Sequence, residues 1–131
     1  MISRDLAQRL EQAGVAWTPT AGDRFFIPAQ MDDDVFTISD MVVEVHEVPG
    51  GRHFDFNGTT EWALDTIAQS DVVWLPREEQ LRTLLGTAFI SMHATPGGFI
   101  VVIESAGSEE RHIDIDAECA YARAVLSIHA G

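Results

Sequence analysis

Lysine is absent from these 131 residues, and cysteine occurs once. Eight arginines stand against 21 acidic residues, for a formal net charge of -13. A surface so balanced repels phosphate backbones and anionic headgroups, which argues against a nucleic-acid partner and against docking on a membrane surface. It suits a basic protein partner. Without lysine there is no G-x-x-x-x-G-K-[ST] phosphate loop. The G-x-S-x-G elbow, H-E-x-x-H and C-x-x-C are missing as well. These absences remove the common catalytic signatures and lean the reading away from an enzyme.

Cys119 alone forms no intrachain disulfide and fits a reducing compartment. It has no metal-finger spacing around it, and on the apolar side of a helix it reads as a packed thiol. No apolar run approaches the ~18–20 residues that span a bilayer. Residues 1–14 carry charges throughout, unlike a signal peptide. The expectation is a cytoplasmic protein with no membrane insertion. With 46% hydrophobic and 22% charged residues, the chain reads as a single domain over 1–131.

What is present begins with a repeated turn. His46-Glu47-Val48-Pro49-Gly50-Gly51 recurs as His93-Ala94-Thr95-Pro96-Gly97-Gly98. Proline sets φ and glycine accepts positive φ, so each copy closes a hairpin between flanking β-type segments. Around them the expected helices start at Ser3, at Thr59 or Thr60, at Pro76 and at Asp116. The second of these runs from Glu61 to about Gln69, with Trp62, Leu64, Ile67 and Ala68 as its apolar side. The third holds Pro76 in its first turn. The fourth buries Cys119, Ala122, Val125, Leu126 and Ile128. Short strands are expected at 24–28, 35–39, 72–75 and 110–115, the last with Ile113 and Ile115 on one side after a polar loop at 105–110. The fold class is α+β: one antiparallel sheet from the two Pro-Gly-Gly hairpins plus short strands, with about four helices against it.

Hydrophobic pattern fixes the register of the first hairpin. An even loop gathers Val43, Val45, Phe54 and Phe56 on one face and pairs Glu47 with Arg52; a slip of one residue would mix Val45 with Asp55. The opposite face then carries Glu44, His46, His53 and Asp55. Two imidazoles and two carboxylates within cross-strand reach form a donor set for Zn²⁺ or a similar divalent metal, whose bound water is a nucleophile for hydrolysis. Alternation alone also makes this face polar. In the second hairpin the same register sets His93 opposite Ile100, with Phe89 and Val102 on that face, as a partly buried structural histidine. Trp74, Pro76 and Arg77 are candidate anchors for a protein partner, since tryptophan and arginine dominate binding hot spots. Asp32-Asp33-Asp34 lacks the alternating ligands of a Ca²⁺ loop and reads as a solvated acidic loop.

Four stretches carry a family resemblance: 22–25 (GDRF), 35–41 (VFTISDM), 56–65 (FNGTTEWALD) and 74–81 (WLPREEQL). Together they resemble a family of small uncharacterised actinobacterial proteins, some labelled pilus-assembly proteins of the CpaE type. The resemblance covers most of residues 14–86. It implies an accessory role related to pili or secretion and supplies no catalytic residue. The CpaE type proper joins a receiver-like domain to a MinD-like ATPase domain, and this chain has no phosphate-binding loop to match. The expected function is a non-catalytic binding or accessory protein without cofactor. The alternative is a small metal-dependent hydrolase built on the first hairpin.

Overall fold

Short segments rich in valine, isoleucine and phenylalanine supply most of the strands. The computed structural model describes residues 1–39, 43–56 and 66–129, with the side chains of Val43, Glu44, Phe56 and Thr66 excepted. The protein is α+β, with three three-stranded sheets and, among the described residues, three α-helices. These elements fall into two compact units, Trp17–Trp74 and Met1–Ala16 with Leu75–Gly131.

In the unit Trp17–Trp74, β1 (Arg24–Phe26) pairs antiparallel with β2 (Phe36–Thr37), setting Phe25 opposite Phe36. β3 (Val43–Val48) and β4 (Gly51–Phe56) form the first hairpin, and β5 (Thr66–Ala68) pairs with β4. β6 (Val73–Leu75) joins β1 in the order β2-β1-β6. The hairpin sets Val45 opposite Phe54, His46 opposite His53 and Glu47 opposite Arg52. That is the register the hydrophobic pattern demands. Phe54 thereby joins Phe25, Ile27, Ile38, Ile67 and Val72 in a buried core.

Trp17 closes this core. Its ring lies parallel to Trp74, with centroids 5.8 Å apart and planes 2° from coplanar. It meets Phe54 edge-on at 5.6 Å. Its indole N–H donates to Asp23 Oδ2 at 2.9 Å, and its carbonyl accepts from Gln69 Nε2 at 3.0 Å. Asp23 is 1% exposed. Its carboxylate also accepts from the Thr20 backbone N–H and hydroxyl, which offsets the cost of taking a charge out of water.

The helix expected over 61–69 needs correction. Residues 57–65 lie outside the described ones. Thr66–Ala68 is a strand, and Gln69–Asp71 a 3₁₀ turn. Pairing with β4 places Ile67 opposite Phe54, and the Gln69 side chain ties the turn to Trp17. Tertiary burial of a β-branched residue thus outweighs the helical spacing. The single expected sheet is likewise three separate ones, and the two hairpins belong to different units.

In the other unit, α1 (Arg4–Gln12) is capped by Ser3, whose hydroxyl accepts from the Leu6 N–H at 3.2 Å. α2 (Glu78–Leu85) has Arg77 as its N-cap, and the Arg77 N–H donates to Gln80 Oε1 at 2.9 Å. Pro76 therefore lies before the cap rather than in the first turn: Arg77 is extended, at φ -84° and ψ 168°, and begins no helical turn behind Pro76. β7 (Phe89–Thr95), β8 (Gly98–Ser105) and β9 (Ser108–Asp114) form a meander. α3 (Ala117–His129) packs on this sheet and against α1 and α2. Asp116 Oδ1 caps it through the Cys119 N–H at 2.9 Å.

The expected polar loop at 105–110 is a two-residue turn instead. Ala106 and Gly107 both take positive φ, 53° and 83°, the geometry that matches strand twist in a tight hairpin. β9 accordingly starts at Ser108.

The two copies of the repeated turn differ in what surrounds their last glycine. A Cβ on Gly51 would meet nothing within 4 Å. A Cβ on Gly98 would lie 2.4 Å from the Asp114 carbonyl oxygen and 3.0 Å from the Ile115 Cα. Both glycines have positive φ, 150° and 147°, so alanine strains either; only at Gly98 does it also collide with backbone. Gly98→Ala should cost about 1–3 kcal/mol more than Gly51→Ala. Urea unfolding of both variants checks this, and equal losses would contradict it.

Candidate functional site

The first hairpin brings part of its polar face together. His46 Nε2 is 3.1 Å from Asp55 Oδ2, and His53 stands directly across from His46. Arg52 Nε reaches Glu47 Oε1 at 3.5 Å. Glu44 is opposite Asp55 in the backbone register, with its side chain outside the described ones. Among the described residues no three His, Cys, Asp or Glu side chains converge to hold a metal ion.

Trp74, Pro76 and Arg77 are used internally. Trp74 is half-buried against Trp17, and its indole nitrogen is buried without a hydrogen-bond partner among the described residues. In the other unit, Pro76 is buried and Arg77 caps α2 while its Nε holds Glu79 Oε1 at 2.7 Å.

His93 does sit opposite Ile100, but it is exposed rather than partly buried. Its Nε2 is 2.7 Å from Ser91 Oγ, two residues back on the same strand. Phe89 leaves the His93 face. A register irregularity between Phe89 and Ser91 sets Phe89 opposite Ile103, and its ring stacks on Tyr121 of α3, with centroids 5.9 Å apart. The Arg82 guanidinium caps that ring at 4.1 Å.

A further exposed feature lies on β9. Its alternate residues Glu110, His112 and Asp114 face α3. Glu110 Oε1 accepts from the Ser127 hydroxyl and contacts His112 Nε2 at 3.1 Å. Arg123 Nε donates to Asp114 Oδ2 at 2.9 Å. The intervening residues must point the other way. Ile113 is consequently 60% exposed, and Ile115, just past the strand, 84%. Ile100 lies beside Ile113 across the strands, with Arg111 opposite Val102 and Glu109 opposite Glu104 further along the same face.

The side of the strand that carries Ile113 is thus the outer one. Polar partners on α3 hold the polar side of β9 inward. A sequence signal for it exists in Arg123 and Ser127, one turn apart on the helix and chemically matched to Asp114 and Glu110. Cys119 is buried, and burial pushes its thiol pKa up, so it stays protonated and unreactive.

No family model, no curated protein and no solved structure matches this chain.

The Glu110 contacts set a pH dependence. The Ser127 hydroxyl first, and His112 second, hold the Glu110 carboxyl below its ordinary pKa. A depressed carboxylate contributes stability at pH values above its unfolded pKa and loses it as pH falls through the folded one. Ser127→Ala should therefore raise the Glu110 pKa toward the ordinary carboxylate range. Carbon-detected NMR titration of the side-chain carboxyl reads this directly, and an unmoved value would contradict the assignment.

Proposed function

We propose that the chain is a non-catalytic binding protein whose contact surface is the outer face of β9 with the adjoining part of β8. The observation that carries the reading is the exposure of Ile113 on the outer face of β9 and of Ile115 just past its end. Exposed apolar clusters mark interaction sites, and full burial of an isoleucine contributes about 1.5–3 kcal/mol.

Charge selects the partner. Glu104 and Glu109 lie on the same face, and the chain as a whole carries a net charge of -13. An apolar anchor flanked by arginine or lysine satisfies both features, and the opposite charges speed encounter. The absence of catalytic signatures from the sequence agrees with a binding role. The resemblance to proteins labelled for pilus assembly points to a component of a pilus or secretion system as that partner.

Selection from a random peptide library tests the reading. The wild-type chain should enrich peptides with an apolar residue between basic ones. The Ile113→Ser/Ile115→Ser variant should lose that enrichment while keeping its circular dichroism spectrum. Enrichment that survives the double substitution, or none at all, would overturn the proposal.

A further inference from the structure

The two outer strands of the β7-β8-β9 sheet are built differently. An edge strand turns alternate backbone N–H and C=O groups away from its sheet, and proteins ordinarily protect such edges with charge, proline or short length. β9 follows that rule, with Glu109, Glu110, Arg111 and Asp114 along it. β7 does not. Its seven residues, Phe89–Thr95, include no Asp, Glu, Arg, Lys or Pro. Among the described residues it pairs with β8 and with no other strand. Ile90 is 44% exposed, and His93 and Ala94 are exposed as well.

We propose that β7 pairs antiparallel with β7 of a second copy of this chain, about a twofold axis at Met92. Charge along β7 itself does not oppose this occupant. Two copies that each carry a net charge of -13 repel one another, and along β7 they approach without setting carboxylate against carboxylate. The strand is also self-complementary. Centring it on Met92 pairs the stretch Ser91–His93 with itself, and the register irregularity between Phe89 and Ser91 bounds this pairing on the Phe89 side. Ser91 meets the second copy's His93, and His93 the second copy's Ser91. Hydroxyl and imidazole already hydrogen-bond within one strand at 2.7 Å, so the same chemistry is repeated across the axis without introducing charge. The product is a six-stranded sheet, β9-β8-β7 continued into β7-β8-β9 of the second copy. Two-fold symmetry places both Ile113 faces on the same side of it.

Sedimentation equilibrium on the full chain, with hydrogen exchange at low and high concentration, tests the pairing. The expected result is twice the chain mass, with β7 amides gaining protection as concentration rises and β9 amides unchanged. Ser91→Asp/His93→Asp sets carboxylates against each other at both mirrored pairs. It should weaken association roughly hundredfold without altering the circular dichroism spectrum. A wild-type chain that stays monomeric up to about 1 mM would overturn the proposal. So would a dimer indifferent to the double substitution, protection that develops on another strand, or pairing of β7 only with an added basic peptide.

Discussion

The polar seam between β9 and α3 decides how this protein presents itself. Glu110 with Ser127 and His112, and Asp114 with Arg123, hold the polar side of β9 against the helix. A strand has two faces, so fixing one fixes the other. Ile113 and Ile115 are turned outward because their neighbours are satisfied inward. Gly98 reinforces the arrangement: the Asp114–Ile115 backbone passes so close that a methyl group there would collide. Shifting β9 along β8 would lose that fit and both hydrogen-bonded pairs together.

The unit Trp17–Trp74 rests on a different kind of constraint. Its two small sheets bury few side chains each, and one tryptophan gathers them. Trp17 contacts Phe25, Phe54 and Trp74 by its ring, Asp23 by its N–H and Gln69 by its carbonyl. The Asp23 carboxylate, almost wholly buried, accepts from Thr20 as well and so fixes the loop that delivers the ring. Aromatic packing and a satisfied buried charge together hold the chain between Trp17 and β1, where backbone ladders are few.

Much of the local structure was legible from the sequence because it rests on nearest-neighbour chemistry. The Ser3 and Asp116 caps and the register of the first hairpin each follow from a few adjacent residues. The alternating valines and phenylalanines admit one pairing of β3 with β4, so His46 opposite His53 could be read before any coordinates. What escaped depends on distant partners. Thr66–Ala68 has helical spacing upstream of it, yet pairs as a strand because Phe54 lies opposite Ile67. Alternation puts Ile113 and Ile115 on one side of their strand, and only Arg123 and Ser127 on a later helix decide which side faces outward. Trp74 and Arg77 have the composition of a hot spot, but Trp17 and Glu79 already occupy them.

The orientation of β9 is therefore the central claim, because the binding surface exists only if the isoleucines face outward. Methyl-labelled isoleucine NMR with a soluble gadolinium chelate measures it directly. Strong relaxation of the Ile113 and Ile115 methyls is expected, with Ile103, which is wholly buried, left sharp. Protection of Ile113 and Ile115 equal to that of Ile103 would contradict the account.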